Sequence, residues 1–254
     1  MEKTETRIRE GRGYQKNFSL LHPQIHDMAS RSRKAQKIRQ LLSDAKAIPD
    51  SQAAICLDIG CSSGLVASQL SPLCGQMIGM DYDGVALSLA PPTVRKAVFL
   101  LQGDAMSMPF RDESIDLVLC AQVYEHVPDD VRLFEEIYRV LRPGGVVFFS
   151  GPNWLFPVEP HYFLPFLHWL PEQWANFYLR FTRKGEQYYE RSRHLWGLRR
   201  LLRRYSIEDV TLRTLELVDD PWLSPVIRAL PVSVWRFLLP LFPNFNWILR
   251  KPTN

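Results

Sequence analysis

Between residues 53 and 153 short apolar runs alternate with helix-like stretches. "AAICLDIG" reads as a buried strand and "LVASQLSPL" as the helix after it. "GQMIGMDYD" is a second strand, and "DGVALSLAPP" begins a second helix. "AVFLLQGDA" and "SIDLVLCAQV" are the third and fourth strands. A helix is predicted over 129–141, "DDVRLFEEIYRVL", then a turn at Pro143-Gly144-Gly145 and a fifth strand, "VVFFSGPN". Strands that are apolar on both faces and alternate with helices predict a parallel sheet covered on both sides. The fold class is α/β, a doubly wound, mostly parallel sheet.

The flanks read differently. Residues 1–18 are charged and expected to be poorly ordered, and a helical pattern runs from Met28 to Leu42 until Pro49 and Asp50 break it. Beyond Asn153 the composition changes: all seven tryptophans lie there, with many prolines and phenylalanines. "RHLWGLRRLLRRY" is expected to be a crossover helix, "SIEDVTLRTLELV" a sixth strand, and "FNWILRKP" a short seventh strand closing an edge. The chain divides into a basic helical segment (1–50), a core (51–153), an aromatic insertion (154–192) and remaining core elements (193–254) that carry an apolar insertion at 219–243.

The 254 residues, 46% hydrophobic, can build one large core. The net charge of +4 is unevenly spread, with basic clusters at 31–39 and 191–204. These are either solvated helix faces or surfaces that attract phosphate, on anionic lipid or on nucleic acid. Cys56, Cys61, Cys74 and Cys120 form no CxxC pair, so zinc is not expected, nor any other metal. Free thiols, and no apolar leader in the first fifty residues, point to the cytoplasm.

The candidate chemistry lies at the strand ends, where ligands bind in an open parallel sheet. "LDIGCSSG" fails the dinucleotide fingerprint, because Ser62 and Leu65 stand where glycines are needed after Gly60, and it lacks the lysine of a P-loop. Asp58, Asp81 and Asp104 end three successive strands, and Gln122 follows the fourth. A row of acids with little positive charge nearby would repel a pyrophosphate; it suits a cationic ligand rich in hydroxyls and amines.

In their order and spacing, "LDIGCSSG", "GMDYD", "GDAMSMPF", "DLVLCAQVYEHV" and "LRPGGVVFFSGPN" resemble the class I S-adenosylmethionine-dependent methyltransferases, in particular the small-molecule, ubiquinone-biosynthesis-like type 11 branch. The resemblance implies a Rossmann-like methyltransferase fold and S-adenosylmethionine as cofactor. It implies that Gly60 and Cys61 approach the methionine part, that Gly64 lets the helix close on the sheet, and that Asp58 lies near the ammonium. Asp81, beside Tyr82, would accept both ribose hydroxyls. Asp104 would accept from the adenine amine and the Ala105 backbone donate to a ring nitrogen. Cys120 and Gln122 would border the transferring methyl. One departure is Ser62, where the family usually has glycine; a positive φ there costs serine about 1 kcal/mol.

Methyl transfer needs in-line alignment and, for some acceptors, a base. Two histidines are candidates: His126 in "YEHV", and His161 in "PVEPHYFLPF", which Glu159 could orient. "CAQVY" lacks the Asn/Asp-Pro-Pro-aromatic element of exocyclic-amine methylation, so the expected target is oxygen or carbon. The aromatic stretch 153–181 is expected to be a lid or an apolar acceptor channel. The segment 221–243 lacks a clean span of about 20 apolar residues and suits the interface of an anionic membrane instead. The expected acceptor is a hydrophobic or lipid-linked small molecule rather than nucleic acid. Alternatives are an RNA or protein methyltransferase using the basic helices, and a cofactor-binding protein without turnover.

Overall fold

The computed structural model describes residues 27–49, 52–217 and 229–253; the tail 1–26 lies outside them. The first described helix, α1 (Met28–Asp44), starts on Asp27, whose carboxylate accepts from Ser30 N at 2.7 Å. Ala35, Ile38, Leu41 and Leu42 recur at helical spacing and bury one face. The alternating core follows as β1 (Ile55–Ile59), α2 (Leu65–Leu70), β2 (Gln76–Asp81), α3 (Gly84–Ser88), α4 (Pro92–Ala97), β3 (Phe99–Gln102), β4 (Ile115–Ala121), α5 (Asp130–Val140) and β5 (Leu141–Pro152). Asp129 caps α5 by accepting from Val131 N and Arg132 N.

The aromatic stretch folds into a two-stranded hairpin, β6 (Val158–Glu159) with β7 (Leu164–Pro165), and helix α6 (Glu172–Phe181). Tyr162, Leu164, Leu167, Ala175, Leu179 and Tyr188 give it a small core of its own. The chain then adds α7 (Leu195–Leu201), β8 (Ser206–Asp209), α8 (Arg213–Glu216), α9 (Val232–Leu238) and β9 (Asn244–Arg250).

The seven-stranded sheet has the order β3-β2-β1-β4-β5-β9-β8. β1 to β5 pair in parallel; β9 runs antiparallel to both β5 and β8. Alternate residues of each central strand feed two cores. Leu57, Ile59, Val118, Cys120, Phe149 and Trp247 pack with α5 and α7 on one face. Cys56, Leu117, Leu119, Phe148 and Ile248 pack with α1, α2 and α4 on the other. The predicted turn at 143–145 falls inside β5, where the register steps from Leu141↔Ile115 to Val146↔Leu117.

Two strand expectations need correction. The sixth strand does not extend through "VTLRTLEL". It stops at Asp209, whose side chain accepts from Thr211 N at 3.0 Å, and Thr214 Oγ1 donates to Thr211 O at 2.6 Å as α8 begins. These local bonds turn β-prone residues out of the sheet. The seventh strand does not close an edge: β9 is interior, with Phe245 through Leu249 buried, and the short β8 is the edge. Residues 218–228, part of the expected apolar insertion, lie outside the described residues. Among the described residues no helix is long and apolar enough to cross a membrane.

Candidate active site

The chain crosses from one half of the sheet to the other between β1 and β4, and their carboxyl ends open a cleft there. Its cavity of about 350 Å³ is lined by residues from every neighbouring strand end. β1 turns away sharply at Gly60, whose φ is +67°. A Cβ at Gly60 would stand 2.8 Å from Val123 Cγ2, so only glycine leaves the floor open. Gly64 (φ +73°) lies behind the cavity, where a Cβ would meet Val94 Cγ1 at 2.7 Å; it serves the approach of α2 to α4. Ser62 does adopt a positive φ, +54°, in this turn, at a cost of about 1 kcal/mol. Its hydroxyl is buried without a hydrogen-bond partner.

Asp81 ends β2 at the cavity wall. Ser62 N donates to its Oδ2 at 2.7 Å and Asp83 N to its Oδ1 at 2.9 Å. Burial raises its pKa against the pull of these amides. The carboxylate is thus held in one orientation with lone pairs left over, as a grip on a diol requires. Tyr82, Ala105 and Gln122 also line the cavity, as do His126 and His161. Gln122 Nε2 donates to Asn244 Oδ1 at 3.3 Å, tying the end of β4 to the interior strand β9.

Other expected residues stand elsewhere. Asp58 and Cys61 line a small adjoining pocket with Gly60. Burial pushes Asp58 up to about 7, while Lys34 and Arg31 oppose the rise. Asp104 is absent from the cavity wall; its Oδ1 accepts from Met106 N at 2.7 Å and closes the turn after β3, leaving Gly103 and Ala105 to face inward. Cys120 is fully buried in the core below.

The expectation of little positive charge at the rim needs correction. Arg31 and Lys34 of α1 line both the cavity and the adjoining pocket, and Lys34 Nζ donates to Ala121 O at 3.3 Å. Burial lowers the Lys34 pKa, and Arg31 pushes it the same way. The only signal in the sequence was their spacing of three beside the buried Ala35 and Ile38, and nothing local ties that helix to the end of β4, 87 residues beyond Lys34.

The insertion brings a polar cluster to the far wall. His161 Nδ1 is 2.7 Å from Glu159 Oε1, the pairing expected of a histidine and its orienter. Glu159 Oε2 also accepts from His161 N and Tyr162 N, which fixes the carboxylate. Burial disfavours charge on His161, but Glu159, Glu125 and Glu190 outweigh it and raise its pKa to about 9. Glu125 and Glu190, which the sequence reading left unassigned, are almost completely buried. Burial raises both, Glu125 to about 7.

Known proteins share part of this sequence and its fold. Residues 57–149 match the family model described as a methyltransferase domain. An uncharacterized methyltransferase of Mycobacterium leprae is 36% identical over 108 residues, 42% of this chain and 40% of that protein. A demethylmenaquinone methyltransferase of Lactobacillus johnsonii is 39% identical over 100 residues, 36% of this chain and 41% of that one. The chain thus spans about two fifths of the length of the curated relatives it matches. Among solved structures, geranyl diphosphate methyltransferase in complex with GPP and sinefungin superposes with a TM-score of 0.55 at 15% identity, covering 85% of this chain and 78% of that one. The phosphoethanolamine N-methyltransferase 2 of Haemonchus contortus, in complex with S-adenosylhomocysteine, gives 0.52 at 22% identity, covering 84% and 52%.

The fold and cleft are those of the class I S-adenosylmethionine-dependent methyltransferases. Residues 57–149 form a methyltransferase domain of that class, with S-adenosylmethionine as its cofactor. The residues present fit the cofactor: a glycine turn that any Cβ would fill, and beside it a carboxylate locked by two amides.

Proposed function

We propose that the protein transfers a methyl group from S-adenosylmethionine to an oxygen or carbon of a hydrophobic or lipid-linked small molecule, collected at an anionic membrane surface. One observation carries this reading: the insertion that closes the cleft with Pro160 and His161 also turns a row of aromatic rings to solvent. Trp174, Phe177 and Phe181 are spaced three and four apart on α6 and are 64%, 57% and 77% exposed; Phe163 on the hairpin is 75% exposed. Exposed Arg180, Arg183 and Lys184 flank them. Aromatic rings beside cations suit the headgroup layer of anionic lipid. The relatives named for demethylmenaquinone and geranyl diphosphate are in keeping with an apolar acceptor.

When bound, the cofactor supplies an electrophilic methyl on a sulfonium, a good leaving group. The chain's own residues bind and orient. Asp81 would hold the ribose, Gly103 and Ala105 would border the adenine, and the Gly60 turn with Asp58 would receive the methionine part. Gln122 and Val123 would meet the methyl, and the insertion would keep water out. His126 and His161 flank the acceptor's space.

The test uses labelled cofactor and vesicles that carry the organism's own lipid extract. Label is expected in the organic phase, and the protein should float with anionic vesicles but not with neutral ones. The triple variant Trp174→Ser/Phe177→Ser/Phe181→Ser should lose flotation while its calorimetric affinity for the cofactor stays unchanged. Flotation by that variant equal to wild type contradicts the membrane reading. Label confined to RNA or protein contradicts the acceptor class.

A further inference from the structure

The polar cluster on the far wall is more than a base and its orienter. Glu125 is 1% exposed, and neither of its carboxylate oxygens accepts a hydrogen bond. A buried carboxylate left in this state costs several kcal/mol unless a cation satisfies it. Two imidazole nitrogens face it. His126 Nε2 lies 3.7 Å and His161 Nε2 3.8 Å from the same oxygen, Glu125 Oε1. The rings meet edge to face with centroids 4.8 Å apart. Ligand atoms of the three residues all lie within 4.8 Å of one another. Atoms bound at about 2.0–2.2 Å stand roughly 3–4 Å apart around one ion, so the set needs only a small contraction.

The outer contacts have the same logic. A metal-binding histidine usually gives its other ring nitrogen to a carboxylate, which fixes the tautomer and the ring. His161 Nδ1 has Glu159 Oε1 at 2.7 Å, and His126 Nδ1 has Glu190 Oε1 at 3.9 Å. Glu190 Oε1 is itself buried with no hydrogen-bond partner. Three carboxylates therefore surround two imidazoles. The cluster joins the segment after β4 to both ends of the insertion, where Arg191 N also donates to Glu125 O at 2.8 Å.

We infer that Glu125, His126 and His161 form a binding site for a first-row divalent transition-metal ion, with Glu159 and Glu190 orienting the two imidazoles. Two nitrogens and one carboxylate suit Zn²⁺, Fe²⁺, Mn²⁺ or Co²⁺ better than Mg²⁺ or Ca²⁺, which prefer all-oxygen sets. Since both histidines line the cavity, the ion's remaining positions would face the acceptor and could take an oxygen of it. That gives the histidines a task other than proton transfer. The site does not depend on the acceptor's identity or on membrane docking. No CxxC-like motif announces it, because the ligands come from segments thirty-five residues apart.

The experiment uses the full chain, stripped with a chelator and titrated with Co²⁺. Bound metal is counted after dialysis, and the visible Co²⁺ absorption reports nitrogen ligation. One Co²⁺ per chain is expected, displaced by Zn²⁺. Glu125→Gln, close to isosteric, and His126→Ala/His161→Ala should each weaken binding by more than 100-fold. Glu159→Gln should weaken it about 10- to 100-fold. A circular dichroism spectrum and a thermal midpoint like those of wild type show that each variant is folded. A wild-type chain that binds no more Co²⁺ than the double-histidine variant overturns the inference. So does binding that survives undiminished in folded Glu125→Gln.

Discussion

Asp81→Ala is expected to weaken binding of S-adenosylmethionine or S-adenosylhomocysteine by at least tenfold in calorimetry. A hydrogen bond to a charged group contributes about 1.5–3 kcal/mol, and tenfold corresponds to about 1.4 kcal/mol. Asp81 is asked to receive two ribose hydroxyls while its own position is held by Ser62 N and Asp83 N. Alanine removes both functions: the ribose loses its acceptor, and the glycine turn loses the carboxylate that fastens Ser62 at its unfavourable φ of +54°. Asp81→Asn separates the two, since an amide oxygen can still take one backbone N–H. Its affinity should fall between wild type and alanine. Unchanged affinity in Asp81→Ala would contradict the ribose assignment.

Arg193→Ala is expected to destabilise the fold by about 3–5 kcal/mol, because it removes the bidentate partner of a buried carboxylate. Asp130, 3% exposed, begins α5, and the Arg193 guanidinium grips it through both Nε and Nη2, the latter at 2.8 Å from Oδ1. The same residue latches the insertion to the core. Arg193 N donates to Tyr124 Oη at 3.0 Å, and Trp154 N donates to Arg193 O at 3.2 Å. The start and the end of the insertion therefore close on one residue. The urea midpoint should fall sharply in Arg193→Ala. Asp130→Ala/Arg193→Ala should regain part of the loss, because the buried carboxylate is then removed with its partner. A single variant as stable as wild type would show that the pair contributes little.

Much of this architecture was legible because its signals are local. Apolar runs bounded by Asp58, Asp81 and the "QGDA" turn carry the parallel strands and also their functional ends. The pairing of Glu159 with His161 was readable because a single residue, Pro160, separates them. The cationic rim was not: Arg31 and Lys34 reach the cleft only when α1 packs on α2, a contact no short motif encodes. Glu125 was hidden beside His126, since adjacent residues rarely show which of them is buried. The strand errors have the same origin. Val210 and Thr211 favour a sheet by propensity, but Asp209 turns the chain. The position of β9 inside the sheet depends on pairing partners a hundred residues away. Asp104, at a strand end like Asp81, was expected to face the ligand; its Oδ1 accepts from Met106 N in the turn after β3.

The most direct test is a crystal structure of the chain grown with S-adenosylhomocysteine. Its ribose hydroxyls should lie on the Asp81 carboxylate, its amino acid end against the Gly60 turn, and its sulfur towards Gln122 and the histidine wall. A cleft without nucleoside at saturating concentration, or a ribose that makes no contact with Asp81, would contradict the account.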